Sequence, residues 1–320
     1  MRVYIFRRLL LMIPTVFLAT TFIFLLVRFI PGSMVDLIIQ DLGGEGHQET
    51  VVTIADVKHR LGLDVPVHIQ YVRWMAAAFQ GDLGTSMWTQ QPITDELVKR
   101  IPVSLELGIL ALLSGLAVAV PIGVYSGIRQ DTAGDYAART MAILGISVPG
   151  FWMATMVIVY PAIYLNWSPP LQYIPLTRDP LGNFQQFIIP ALLMGAFSSG
   201  TVMRMTRTMM LEVLRQDYIR TAWSKGLTEW AVVFRHALRN AMIPVITTAG
   251  VQIPFIVGGS IIFEQIFALP GMGLYLIQAL TRRDYNVIVS INLVIVVAVL
   301  AGNLVVDLTY GWLDPRIKYN

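Results

Sequence analysis

The sequence predicts an all-α integral membrane protein with six transmembrane helices and a long helical extracytoplasmic segment between helices one and two. Three observations carry that class: the composition, six apolar runs, and the placement of the arginines. The chain has 320 residues, 55% of them hydrophobic and only 13% charged, with a mean hydropathy of +0.64. So much apolar surface exceeds what one soluble core can hide and belongs in a bilayer.

The first run, Leu9 to Ile30, follows Arg2, Arg7 and Arg8. A signal peptide has an apolar stretch of about 7 to 15 residues and a small-residue cleavage site. This run is longer and ends in Pro31-Gly32, so it reads as a span with a cytoplasmic N-terminus. Arg28 lies near its outer end, close enough to snorkel to the interface.

From Gly32 to Pro102 the composition turns soluble, with nine acidic and five basic residues. Thr53-x-x-Asp56 resembles a capping box. Asp64, with Pro66 just inside, opens a helix whose Val67, Tyr71, Trp74, Met75 and Ala78 form one apolar face, and Gly81 should end it. That face is expected to rest on the membrane surface or on a partner.

Five further runs follow, at Leu105 to Ile128, Thr140 to Leu165, Ile188 to Met210, Ile243 to Phe267 and Val287 to Leu308. With the N-terminus inside, the cytoplasmic pieces hold fourteen Lys/Arg, while the short external loops hold Arg178, Arg282 and Arg283. That asymmetry obeys the positive-inside rule and places both termini in the cytoplasm. Pro121, Pro149-Gly150, Pro161, Pro254 and Gly258-Gly259 interrupt the runs, as suits helices that pack closely or line a moving pathway.

Most site chemistry is excluded. There is no phosphate loop: none of Lys58, Lys99, Lys225 and Lys318 follows a glycine in the required pattern, so the chain is not an ATPase. His47, His59, His68 and His236 lack metal-ligand spacing, and without cysteine there is no thiol site. Neither a metal nor a cofactor is expected on this chain. The net charge of +3 is spread over loops, which argues against nucleic acid. Ser198-Ser199-Gly200 and Gly259-Ser260 read as packing motifs.

Polar groups inside spans are costly and so informative. Arg204 and Arg207 end the fourth run; Glu264 lies in the fifth; Asn292, Asn303 and Asp307 lie in the sixth. Asn303 and Asp307, four apart, share a helix face suited to an interhelical hydrogen-bond network. Glu264 is a candidate pathway or gate residue, or the partner of an arginine, and Asn292, Asn303 and Asp307 are the other pathway candidates. The midplane carboxylates and paired repeats of an ion-coupled transporter are not apparent, nor is the nucleophile and base of a membrane hydrolase.

The charged stretch Leu211 to Pro244 organises the rest. Leu211, Leu214, Tyr218 and Ala222 recur at helical spacing, then Gly226 interrupts, then Trp230, Val233, Phe234, Ala237, Leu238 and Ala241 form a second stripe. Glycine suits a left-handed helix cap, and Thr228-Glu229 a helix start. Arg204 to Arg239 carries seven Lys/Arg against three Asp/Glu, so the elbow should lie on the cytoplasmic side.

The order Tyr218, Arg220, Thr221, Ala222, Lys225, Gly226, Leu227, then His236, Ala237, Leu238, Arg239, Asn240, Ala241, Pro244 resembles the coupling loop of ABC-importer permeases of the dipeptide/oligopeptide/nickel type. RRLLLMIP, LGLDVPVHIQYVRW, GDLGTS, GISVPGFW, FEQIFALPGMG and NLVVDLTYGWLDPRIKYN extend the resemblance along the chain. The wider superfamily has Glu-Ala-Ala where this chain has Arg220-Thr221-Ala222, the variant usual in the peptide subfamily. The resemblance implies a MetI-like permease core in the inner membrane, without enzymatic activity of its own. Arg220, Thr221, Ala222, Lys225, Gly226 and Leu227 would then contact an ATPase subunit, with His236, Arg239 and Asn240 bracing the second helix. It also implies a second homologous permease, two ABC ATPases that bind Mg-ATP, an extracytoplasmic binding protein, and surrounding lipid. The chain would divide into an N-terminal helix at 1–31, an external segment at 32–102, and a five-helix core at 103–320 with the coupling loop at 211–241. The cargo class would be di- or oligopeptides, nickel chelates or oligosaccharides.

Overall fold

The computed structural model describes residues 2–29, 64–170 and 172–313; the expected capping box at Thr53 and Asp56 lies outside them. In chain order the helices are α1 (Arg2–Arg28), α2 (Val67–Phe79), α3 (Ile93–Ile128), α4 (Ala133–Ser147), α5 (Gly150–Leu165), α6 (Pro180–Leu214), α7 (Asp217–Ser224), α8 (Leu238–Val251), α9 (Ile253–Ile266), α10 (Met272–Arg282) and α11 (Tyr285–Leu313). A π-helical stretch, Ala231–Ala237, leads into α8. Among the described residues, the β structure is one isolated bridge between Thr85 and Pro92.

Four helices, α1, α3, α6 and α11, are each long and apolar enough to cross a membrane. The other two expected spans are bent pairs, so the count reaches six when each pair is taken as one span. Thr140 to Leu165 is not one rod: α4 and α5 meet at 92°. The cause is local. Val148 is extended, at φ −89° and ψ 124°, as a residue before proline prefers, and Pro149 caps the next helix. The second pair bends by 54° around the start of α9, where Pro254 sits. Pro121 and Pro161, by contrast, are carried inside α3 and α5.

By contacts the chain divides into two units, one of Met1–Tyr4, Ser104–Leu269 and Val299–Asn320, the other of Ile5–Val103 and Pro270–Ala298. This division falls elsewhere than the expected 1–31, 32–102 and 103–320, for reasons visible inside the second unit. There Tyr71 on α2 packs edge-on against Phe24 of α1, ring centroids 5.1 Å apart, and its hydroxyl meets Thr21 Oγ1 at 2.6 Å. The apolar face of α2 therefore rests in part on the chain's own first helix. Arg28 donates to Gln70 Oε1 and lies over the rings of Phe24 and Tyr285, so it is held in place where the sequence suggested a snorkelling side chain. Asp284 caps α11 and binds the turn after Gly81: its Oδ2 accepts from Ser86 Oγ at 2.6 Å and Met87 N–H at 3.0 Å. Pro270–Ala298 thus groups with the N-terminal segment through this buried carboxylate and through further bonds, among them Trp88 Nε1 to Arg282 O at 2.7 Å and Asn286 Nδ2 to Thr85 O at 3.1 Å.

The first unit is assembled on a stripe of small residues. Ala111, Gly115, Ala119, Gly123 and Gly127 recur every fourth residue along α3. A Cβ on Gly115 would meet Gly195 O at 2.9 Å, one on Gly123 would meet Met203 O at 2.8 Å, and one on Gly127 would meet Met210 Cβ at 2.6 Å. The stripe lets α3 and α6 approach backbone to backbone, as lipid-embedded helices do where small residues line the contact. Ser198-Ser199-Gly200 behaves as expected of a packing motif: both hydroxyls donate within α6, to Gly195 O at 3.0 Å and Ala196 O at 2.7 Å, and a Cβ on Gly200 would meet Ala142 O at 2.6 Å.

Candidate functional site

The elbow grows out of the end of α6. Two residues separate Leu214 from Asp217, so Leu211 and Leu214 belong to α6 and the elbow's first helix is the eight-residue α7. Its C-terminus has the hydrogen bonding of a Schellman motif. Gly226 adopts φ +74°, its N–H reaches Trp223 O at 2.9 Å, and Leu227 N–H reaches Ala222 O at 3.4 Å. A Cβ at Gly226 would meet nothing within 4 Å. What requires glycine is therefore the left-handed backbone and not a shortage of space. Thr228 then opens the second limb, its Oγ1 accepting from Ala231 N–H at 3.4 Å.

The buried face of the elbow is Ile219 and Ala222 from α7 with Val232, Val233, Ala237 and Ala241, closed against Val124 of α3 and Met210 of α6. This differs from the expected stripes in two ways. Tyr218 is exposed and Ile219, one position on, is buried in its place. Trp230 and Phe234 are 70% and 41% exposed and pack on each other, with ring centroids 3.9 Å apart. The reason is the π-helical stretch: an i→i+5 ladder shifts the phase of the side chains, bringing Val232 inward and turning the two rings out. Periodicity of 3.6 cannot foresee that shift.

Of the expected contact residues, Arg220, Thr221, Lys225, Gly226 and Leu227 are exposed on the elbow. Ala222 is not: at 6% exposure it packs inward, and its small side chain lets α7 sit close to α6. Arg220 pairs with Asp217 at 3.3 Å in water, a contact of little energetic weight. Asn240 joins the two limbs, its Nδ2 donating to Tyr218 Oη at 2.9 Å and to His236 O at 3.0 Å. His236 is half-buried and Arg239 is exposed on the same limb. The surface so built is aromatic and basic: Tyr218, Trp223, Leu227, Trp230 and Phe234 stand among Arg220, Lys225, Arg235 and Arg239.

The pathway candidates sit differently. Glu264 is fully buried in α9 and accepts from Ser104 Oγ at 2.7 Å. Asn292 donates to Ile288 O of its own helix at 2.8 Å. Asn303 and Asp307 are half-buried, one turn apart on α11.

Of one polar centre the sequence marks Arg207 but not its partner. Asp135, fully buried at the start of α4, receives Arg207 of α6 in a two-pronged pair: Nε to Oδ1 at 2.8 Å and Nη2 to Oδ2 at 2.7 Å. Ser126 Oγ and the Asp131 N–H also donate to it. Thr132-x-x-Asp135 does carry a helix-start signal, and Thr132 Oγ1 caps α4. The signal marks a surface-type residue, so the burial of Asp135 was not readable from it.

Residues 119–319 match the family described as binding-protein-dependent transport system inner membrane component, and residues 1–108 match its N-terminal companion. The chain belongs to this family. Among relatives of this membrane component are the proteins named dipeptide transport system permease protein DppB of Alkalihalophilus pseudofirmus, 38% identical with all of both chains covered, and of Escherichia coli K12, 38% identical over 99% of this chain and 98% of that one. The fold is that of solved ABC importer permeases. An inward-facing MetNI methionine ABC transporter chain aligns with a TM-score of 0.52 at 18% identity, covering 68% of this chain and 96% of its own. An amino acid ABC transporter chain aligns at 0.51 and 14%, covering 68% and 94%. This permease component is thus a multi-pass inner membrane subunit of a binding-protein-dependent ABC importer, a transport part whose ATPase activity lies in separate subunits.

Proposed function

We propose that this permease subunit forms, with a second homologous permease, the pathway for di- or oligopeptides delivered by an extracytoplasmic binding protein. In this reading two ATPase subunits, which bind the Mg-ATP, dock on the elbow at 211–241. The observation that supports it best is the exposed aromatic and basic surface held on a buried apolar support. Trp230 and Phe234 leave water-facing apolar area that a monomer does not need, and aromatic and arginine side chains are the usual anchors of an interface. Arg220, Thr221, Lys225, Gly226 and Leu227 would make the contact, Ala222 would act as the spacer beneath it, and His236, Arg239 and Asn240 would brace the second limb. Residues 1–31, 32–102 and 103–320 keep their assigned roles of anchor, external segment and core, with both termini cytoplasmic. The peptide cargo follows from the names of the full-length relatives. It is tested by uptake of a labelled dipeptide in cells that carry the whole importer: deleting this subunit should abolish uptake, and unchanged uptake would overturn the assignment. Glu264, Asn292, Asn303 and Asp307 remain pathway candidates, with Glu264 acting through its bond to Ser104.

Orientation has a direct test, because the chain has no cysteine of its own. A single cysteine at Leu181, exposed at the start of α6, should react with an impermeant thiol reagent from outside sealed cells. One at Ser224 should react only after the cytoplasmic face is opened. External labelling at Ser224 would reverse the topology.

Gly226→Val probes the elbow. A β-branched residue in the left-handed region costs about 1–2 kcal/mol, and with open space around the position the strain is all in the backbone. The variant should insert normally, associate weakly with the ATPase and transport poorly. Full transport would show that the Schellman turn is dispensable.

A further inference from the structure

A second basic feature lies outside the elbow, on the first unit's own surface. A pocket of about 420 Å³ opens between α4 and α6, lined by Tyr136, Arg139, Thr140, Arg204, Arg207 and Thr208. It gathers three guanidinium groups and no carboxylate among its lining residues. Arg207 is committed to Asp135 beneath it. Arg139 lies over the Tyr136 ring at 4.6 Å, and among the described residues neither Arg139 nor Arg204 makes an ion pair. Thr140 and Thr208 donate to carbonyls of their own helices, each at 3.0 Å, which leaves Arg139, Arg204 and the Tyr136 hydroxyl as donors toward the pocket.

Two arginines without a carboxylate partner, near the end of a membrane helix, form a site that attracts an anion. Arg204 and Thr208 lie within the last three turns of α6 before the elbow. On the reading that the elbow faces the cytoplasm, this puts the pocket at headgroup depth. Beside the guanidinium groups Ile143 completes the lining, and it is 55% exposed. That is an apolar contact which an acyl chain would use and a free inorganic anion would not. We propose that the pocket seats the phosphate of an anionic phospholipid headgroup, with Arg139 and Arg204 as the charged donors and Arg207 remaining on Asp135. Basic pockets between helices on the cytoplasmic side are suited to that chemistry, and charge-assisted bonds to phosphate are its strong element.

The test is native mass spectrometry of the full-length subunit purified in mild detergent with equal amounts of phosphatidylglycerol and phosphatidylethanolamine. The wild-type chain should retain phosphatidylglycerol by at least about fivefold, and the Arg139→Gln/Arg204→Gln variant should show a ratio near one. Arg139→Lys/Arg204→Lys, which keeps the charges, should recover most of the preference and shows that the loss is not misfolding. Equal retention by wild type and the glutamine variant would overturn the proposal. So would displacement of the lipid by millimolar inorganic phosphate, which would identify a small-anion site. The readout involves no ATPase and no transport step, so its failure leaves the coupling role of the elbow untouched, and the reverse also holds.

Discussion

Replacing Asp135 by alanine should leave a membrane subunit that is extracted in low yield and unfolds well below the wild-type temperature. The carboxylate is fully buried and accepts from Arg207 twice, from Ser126 and from the Asp131 N–H. Its loss strands a guanidinium whose side chain is only 15% exposed. Removing one partner of such a pair costs about 3–5 kcal/mol, a large share of the roughly 5–15 kcal/mol that holds a protein folded. The cost comes from the stranded charge, so removing both charges should do less harm than removing one. Asp135→Asn combined with Arg207→Gln is expected to recover much of the stability. Thermal unfolding of the purified chain followed by circular dichroism measures this. An alanine variant as stable as wild type would show that the pair contributes nothing to the packing of α4 on α6.

The second large effect is expected at the elbow surface. Trp230→Ala with Phe234→Ala removes two rings that pack on each other at a tilt and are mostly or partly in water, so the fold of the isolated subunit should be unchanged. If the rings anchor the ATPase, their joint truncation should cost at least about 2 kcal/mol of association, roughly thirtyfold in Kd. Titration of purified ATPase onto the reconstituted subunit reads this directly. Undiminished affinity would remove the aromatic pair from the interface and shift the contact to Arg220, Lys225 and Leu227.

The sequence made the broad outline legible because lipid imposes strong rules: four spans show as uninterrupted apolar helices, and Gly226 and Thr228 mark the turn they form. What it hid follows from the limits of periodic reading. The 92° break at Pro149 lies inside an apolar run long enough to read as one span, so only the proline hinted at it. The π-helical stretch moved Val232 inward and Trp230 outward against a 3.6-residue count. Asp135 and Arg207 are 72 residues apart, and a lone acidic residue at a helix start gives no sign of a distant partner. The stripe of small residues on α3 was readable in principle, as five small side chains at intervals of four.

That stripe has a mechanical meaning. Where α3 and α6 touch through Gly115, Gly123 and Gly127 there is little soft side chain between the backbones, so the two helices have nothing compliant along which to slide. The elbow's apolar support, in turn, includes Val124 of α3 and Met210 of α6. A push on the elbow is therefore delivered to a stiff double rod and not to one bendable helix. With 35 residues at about 1.5 Å each, α6 alone is a lever of about 50 Å, so a tilt of about 5° at the elbow carries its far end through about 4 Å. Such a displacement is on the scale of one helical turn, the step by which packed elements exchange one register for the next.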